Sequence, residues 1–94
     1  LDYYGSSAEK PLAELADLLG LNDAGDSQGA KARRFIAAIR DLEASMAIPK
    51  KIDCIREEAL PGMIHNALRE ANPLYPVPRV LFAEDLRKLY DMIR

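Results

Sequence analysis

The chain has 94 residues, 49% of them apolar and 30% charged, a balance that belongs to a globular chain and excludes a disordered one. Thirteen Lys and Arg against 15 Asp and Glu leave a net charge of −2, which argues against a dedicated nucleic-acid binder. No apolar run approaches the length that spans a bilayer, and with 6% aromatics and no Trp the core must be aliphatic.

The amino terminus, Leu1-Asp2-Tyr3-Tyr4, has neither the basic nor the apolar region of a signal peptide, and the absence of a starting Met points to a longer parent chain. Cys54 is the only cysteine and has no internal partner, so a cytoplasmic origin is expected. Charge is uneven: six acids against Lys10 give residues 1–29 a balance of −5, leaving +3 for the rest.

The first helix is expected over residues 7–19, with Leu12, Leu15, Ala16 and Leu19 as its apolar stripe. Pro11 falls in its first turn, Ser6 and Glu9 have capping-box spacing, and Gly20 is placed to end it. A turn-rich loop from Asn22 to Ser27 follows. The second and longest helix is expected over residues 28–47, capped by Asp26 or Ser27. Its stripe is Ala32, Phe35, Ile36, Ile39, Leu42 and Met46, and Pro49 stops it.

Residues 50–58 are irregular, with Ile52 and Ile55 as anchors. A third helix is expected over residues 60–71, with Pro61 at its start, Glu57 and Glu58 near its positive end, and Leu60, Ile64, Ala67, Leu68 and Ala71 on one face. Three prolines between Pro73 and Pro78 favour extended polyproline geometry. A fourth helix over residues 83–93 carries Leu86, Leu89, Tyr90 and Ile93. The expected architecture is one all-α domain over residues 1–94 with four main helices.

Side chains that carry chemistry are sparse. His65 is the only histidine, so a multi-histidine metal site is ruled out within the chain, and it reads as a helix-surface or packing residue. Cys54 has Lys50, Lys51 and Arg56 nearby but no nucleophile signature, and reads as a small, half-buried apolar residue. Asp53, Glu57 and Glu58 could pair for acid–base work, but exposure near a helix start accounts for them. The glycines are scattered and form no phosphate-cradling loop. The basic stretches Lys31-Ala32-Arg33-Arg34 and Lys50-Lys51 are interleaved with acids, as solvated faces are.

One ordered set of segments stands out. It comprises Leu12-Ala13-Glu14-Leu15-Ala16-Asp17-Leu18-Leu19-Gly20-Leu21, Ala47-Ile48-Pro49, Arg56-Glu57-Glu58-Ala59-Leu60-Pro61-Gly62-Met63, Glu70-Ala71-Asn72-Pro73-Leu74-Tyr75-Pro76-Val77-Pro78-Arg79 and Ala83-Glu84-Asp85-Leu86. In order and spacing it resembles the carboxy-terminal end of the iron-containing alcohol dehydrogenase family. The similarity is closest to the NADPH-dependent, butanol-dehydrogenase-like branch, and it covers about residues 11–93.

The resemblance implies the carboxy-terminal part of a dehydroquinate-synthase-like helical domain. The intact parent would transfer a hydride between an alcohol or aldehyde and NAD(P), with iron or zinc held by an aspartate and histidines. None of those ligands, nor the glycine-rich cofactor turn, can be matched to this sequence, so no metal, cofactor or catalytic residue is assigned within it. The implied partner is the rest of the parent chain, with a homo-oligomer as a further possibility and neither nucleic acid nor membrane. The resemblance places Asn72 and Pro73, in the proline-rich loop, against the substrate pocket. One departure is Phe82, which stands where the family opens its last helix with Ser, Thr or Asp. The alternative is an independent all-helical interaction or dimerisation module, whose apolar stripes bury against a partner or a second copy.

Overall fold

A computed structural model describes residues 1–74 and 77–94, with the side chains of residues 72–74 outside that description. Among the described residues every regular element is helical: α1 (Glu9–Leu19), α2 (Gln28–Ser45), α3 (Leu60–Leu74) and α4 (Ala83–Ile93), with short 3-10 segments at Asp2–Ala8 and Glu57–Ala59. The all-α class is as expected. The chain divides into two compact units, Leu1–Ile48 and Pro49–Arg94.

The first unit is a hairpin of α1 and α2. Its core is made of small residues: Ala8, Leu12, Ala13, Ala16 and Ala32 are buried, and Tyr4, Phe35 and Ile36 pack against the cluster of Ala8, Leu12 and Ala32. Alanines let the two helix backbones approach closely, and that decides which side of α1 faces inward. The buried side is Leu12, Ala13 and Ala16, while Leu15 and Leu19 of the expected stripe are exposed. On α2, Ala32 is buried and Phe35, Ile36 and Ile39 are half-buried, but Leu42 and Met46 lie beyond the reach of the packing and are exposed.

Helix ends follow local chemistry. The hydroxyl of Ser27 accepts from the N–H of Ala30 at 3.2 Å and caps α2. Asp26 accepts instead from the N–H of Asp23 at 2.8 Å, fixing the preceding turn. Gly20, at φ 66°, closes α1 with a Schellman motif, in which Leu21 N–H donates to Ala16 O and Gly20 N–H to Asp17 O. The same motif ends α2 around Ala47, at φ 54°, two residues earlier than the sequence reading placed the stop.

The start of α1 differs from expectation. Ala8 is the N-cap and offers no acceptor, so the Ser6–Glu9 box does not open the helix. Ser6 and Ser7 belong to the preceding 3-10 segment, which changes direction at Gly5 (φ 50°, ψ −130°). Ion pairs tie the hairpin together at its surface: Lys31 with Asp17 (2.8 Å), Arg34 with both Asp23 and Asp26 (2.9 Å each), and Arg40 with Asp2.

In the second unit, Leu60, Leu81 and Leu86 are buried, and Leu60 is wholly inaccessible. The 3-10 turn Glu57–Ala59 leads directly into α3 at Leu60-Pro61, as the proline's tolerance for a first turn requires. The helix then runs through Asn72 and Pro73 to Leu74, so the backbone there is helical where an extended run was expected. Pro73 brings no N–H to the carbonyl four residues back, so this last turn holds one backbone bond fewer than an ordinary one. The expectation for Tyr75 and Pro76 lies outside the described residues, and Val77 to Val80 are irregular.

Candidate functional site

A concavity of about 730 Å3 lies between α3 and α4. Pro61, Ile64, His65 and Leu68 supply one wall, at the i, i+3, i+4, i+7 spacing that puts four side chains on one helix face. Ala83, Glu84, Arg87 and Lys88 supply the other. The floor is apolar, and the polar atoms come from His65, Glu84, Arg87 and Lys88 at the edges. Such a groove can accept an apolar body with a few polar contacts around it.

Arg87 also belongs to a closed ring of charges. Glu57 Oε1 accepts from Arg87 Nη2 at 2.5 Å, and Glu57 Oε2 meets Arg94 Nη2 at 2.7 Å. Asp91 completes the circuit, to Arg87 Nε at 3.2 Å and Arg94 Nε at 2.8 Å. The hydrogen bond from Arg87 holds the Glu57 carboxyl below its usual range against a smaller opposing effect of desolvation, with the charges of Arg87 and Arg94 adding to it. For Asp91, desolvation pushes upward, but the hydrogen bonds and charges of Arg87 and Arg94 together outweigh it and its carboxyl also ends low. Arg87, bonded first to Glu57 and then to Asp91, is held more firmly protonated than usual.

The start of α4 is fixed from within by Asp85, and its end by residues outside the helix. At its start the ring of Phe82 cannot accept a hydrogen bond, and Asp85 compensates by accepting the Phe82 N–H at 2.9 Å while its other oxygen binds Arg79 at 2.9 Å. At its end, Lys51 Nζ donates to the carbonyl of Met92 at 3.0 Å and Ile52 N–H to that of Ile93 at 2.5 Å. A cation and an amide thus satisfy carbonyls that the last turn leaves open.

The candidate residues read from the sequence are dispersed among these features. His65 is exposed and lines the groove. Cys54 is exposed, against the expectation of half-burial, because the irregular segment around it packs through Ile55 instead. Glu57 belongs to the ion ring, and its partners are arginines, not a second carboxylate. The backbone of Asn72 and Pro73 lies in the last turn of α3, not in a loop, and their side chains lie outside the described residues. Among the described residues no three His, Cys, Asp or Glu side chains gather to hold a metal ion, so the donor set does not fit one. Among them also no helix is long and apolar enough to cross a membrane.

The groove and the ring were missed by reading along the chain. The spacing of Arg87 and Asp91 on α4 and of Arg94 just past its end was the available signal for the ring, but their partner Glu57 lies thirty residues before Arg87. No family model, curated protein or solved structure matches the chain.

Proposed function

We propose that this chain is the carboxy-terminal helical portion of a metal-dependent alcohol dehydrogenase of the iron-containing family, acting in the cytoplasm. The observation that carries the reading is the order and spacing of its segments, from Ala-Glu-Leu-Ala in α1 to the Asn-Pro-Leu run. Helix boundaries at those segments support it: α2 closes before Ile48-Pro49, α3 opens at Leu60-Pro61 after Glu57-Glu58, and α4 opens at Ala83. The uncovered apolar residues Leu15, Leu18 and Leu19 of α1 support it too, since a helix with neighbours on two sides needs apolar residues on both.

The metal and NAD(P) of the intact parent would be held by residues outside this chain, and would supply Lewis-acid polarisation and hydride exchange with an alcohol or aldehyde. The residues of this chain would build packing and part of the pocket wall, with Asn72 and Pro73 on the substrate side. The test is the reading frame upstream of Leu1 and the activity of its product. A glycine-rich nucleotide turn, Asp and His metal ligands, and NAD(P)-linked alcohol oxidation by the whole product are expected. An upstream frame encoding an unrelated fold, or turnover by the purified 94-residue chain itself, overturns the reading.

The apolar groove of α3 and α4 favours a second reading, an independent helical interaction module. Analytical ultracentrifugation separates the two: a 94-residue chain that remains monomeric at high concentration removes the dimerisation form of this reading.

A further inference from the structure

We propose that residues 49–59 form a strap latched to the end of α4 by the charge ring, and that ionic strength opens the latch. Apolar burial does little to hold the strap: every residue from Pro49 to Ala59 is exposed except the half-buried Ile55. Its recorded attachments to α4 are polar. At one end Lys51 and Ile52 bind the carbonyls of Met92 and Ile93. At the other, Glu57 is held by both Arg87 and Arg94, and Asp91 fixes the two guanidinium groups in place.

An isolated surface ion pair contributes little, but a closed network shares the ordering of each side chain between two bridges and is the case in which such pairs matter. A network of this kind weakens with salt because all four of its side chains are open to solvent and dissolved ions compete for each charge, the screening length falling to about 3 Å at 1 M. Opening the ring therefore frees one end of the strap, and the two carbonyl contacts near Ile52, left alone to hold an otherwise solvated segment, break more often. The device belongs to the second unit alone and is independent of the dehydrogenase reading.

The Ile52 amide, donor to Ile93 O, reports the latch through its hydrogen-exchange rate in the 94-residue chain. Between low salt and 1 M sodium chloride its exchange is expected to rise by about five- to tenfold relative to the amides of Phe35 and Ile36 in α2. Glu57→Gln is expected to show the raised rate already at low salt, with little further rise, and Arg94→Gln, at an exposed corner of the ring, the same. A salt response at Ile52 no larger than that of α2, or one that persists undiminished in both variants, overturns the latch. A parallel rise at all amides also does so, because it marks opening of the whole chain.

Discussion

The backbone N–H of Ile48 donates to the carbonyl of Glu43 at 3.0 Å, and inside that closure Ala47 N–H donates to Ala44 O at 3.1 Å. The pair of bonds forces Ala47 into the left-handed region at φ 54°, where its Cβ crowds the following carbonyl. At the matching position of α1 stands Gly20, which has no Cβ to crowd. Ala47→Gly is therefore expected to stabilise the chain by about 0.5–1 kcal/mol, the relief of strain exceeding the added freedom of the unfolded state. Urea denaturation measures it, and an unchanged or lower midpoint contradicts the strain.

The two hairpin helices begin differently, and the difference is measurable. Removing the Ser27 hydroxyl deprives Ala30 N–H of its acceptor, so Ser27→Ala should cost about 1 kcal/mol, whereas Ser27→Gly should cost only a few tenths. Ser6→Ala should be close to neutral, since α1 opens at Ala8 with no side-chain cap. Equal losses at Ser6 and Ser27 in thermal melts would mean that α1 is capped by the box its sequence suggests.

Gly29 lies in the first turn of α2, where a Cβ would meet Glu9 Oε1 at 3.3 Å and Arg33 Nη1 at 3.4 Å. Both are tips of flexible side chains and can move by the few tenths of an ångström required. The helix propensity gained, roughly 0.8–1 kcal/mol, should outweigh that adjustment, so Gly29→Ala should raise the denaturation midpoint. A lowered midpoint would show that Glu9 and Arg33 are pinned.

Acid should loosen the second unit through its ring. Glu57 and Asp91 have folded-state affinities for protons below their ordinary ones. The stability they contribute is thus fully present above the usual carboxylate range and is lost as pH falls through the depressed folded values. Denaturation midpoints are expected to hold steady from neutral pH down to the ordinary carboxylate range, and to fall below it as the depressed carboxyls of Glu57 and Asp91 take up protons. Glu57→Gln should shrink that fall. An identical acid profile in wild type and Glu57→Gln would remove Glu57 from the balance.

The helix boundaries that carry strong local chemistry were legible in the sequence: Ser27 before α2, Gly20 after α1, Pro61 in the first turn of α3 and Ala83 opening α4. The buried side of α1 was not. Its periodicity admits two stripes, and the choice between Leu12-Ala13-Ala16 and Leu15-Leu18-Leu19 depends on how closely Ala8 and Ala32 let α2 approach, a tertiary matter. Leu18, 81% exposed, shows how complete that choice is. The continuation of α3 through Pro73 was not legible, because proline's missing N–H argues locally for a break that the backbone does not make. The groove stayed hidden because nothing in the spacing of Glu84, Arg87 and Lys88 along α4 says that α3 stands beside them.

Gly5 carries a consequence of handedness. Its angles, φ 50° and ψ −130°, are close to the mirror image of the polyproline conformation that ordinary residues favour. An L-alanine there would be strained even with no atom within 4 Å of its methyl group, whereas a D-alanine introduced by peptide ligation would sit in its own preferred basin. The enantiomers at this one position should therefore shift the melting of the amino-terminal hairpin in opposite directions.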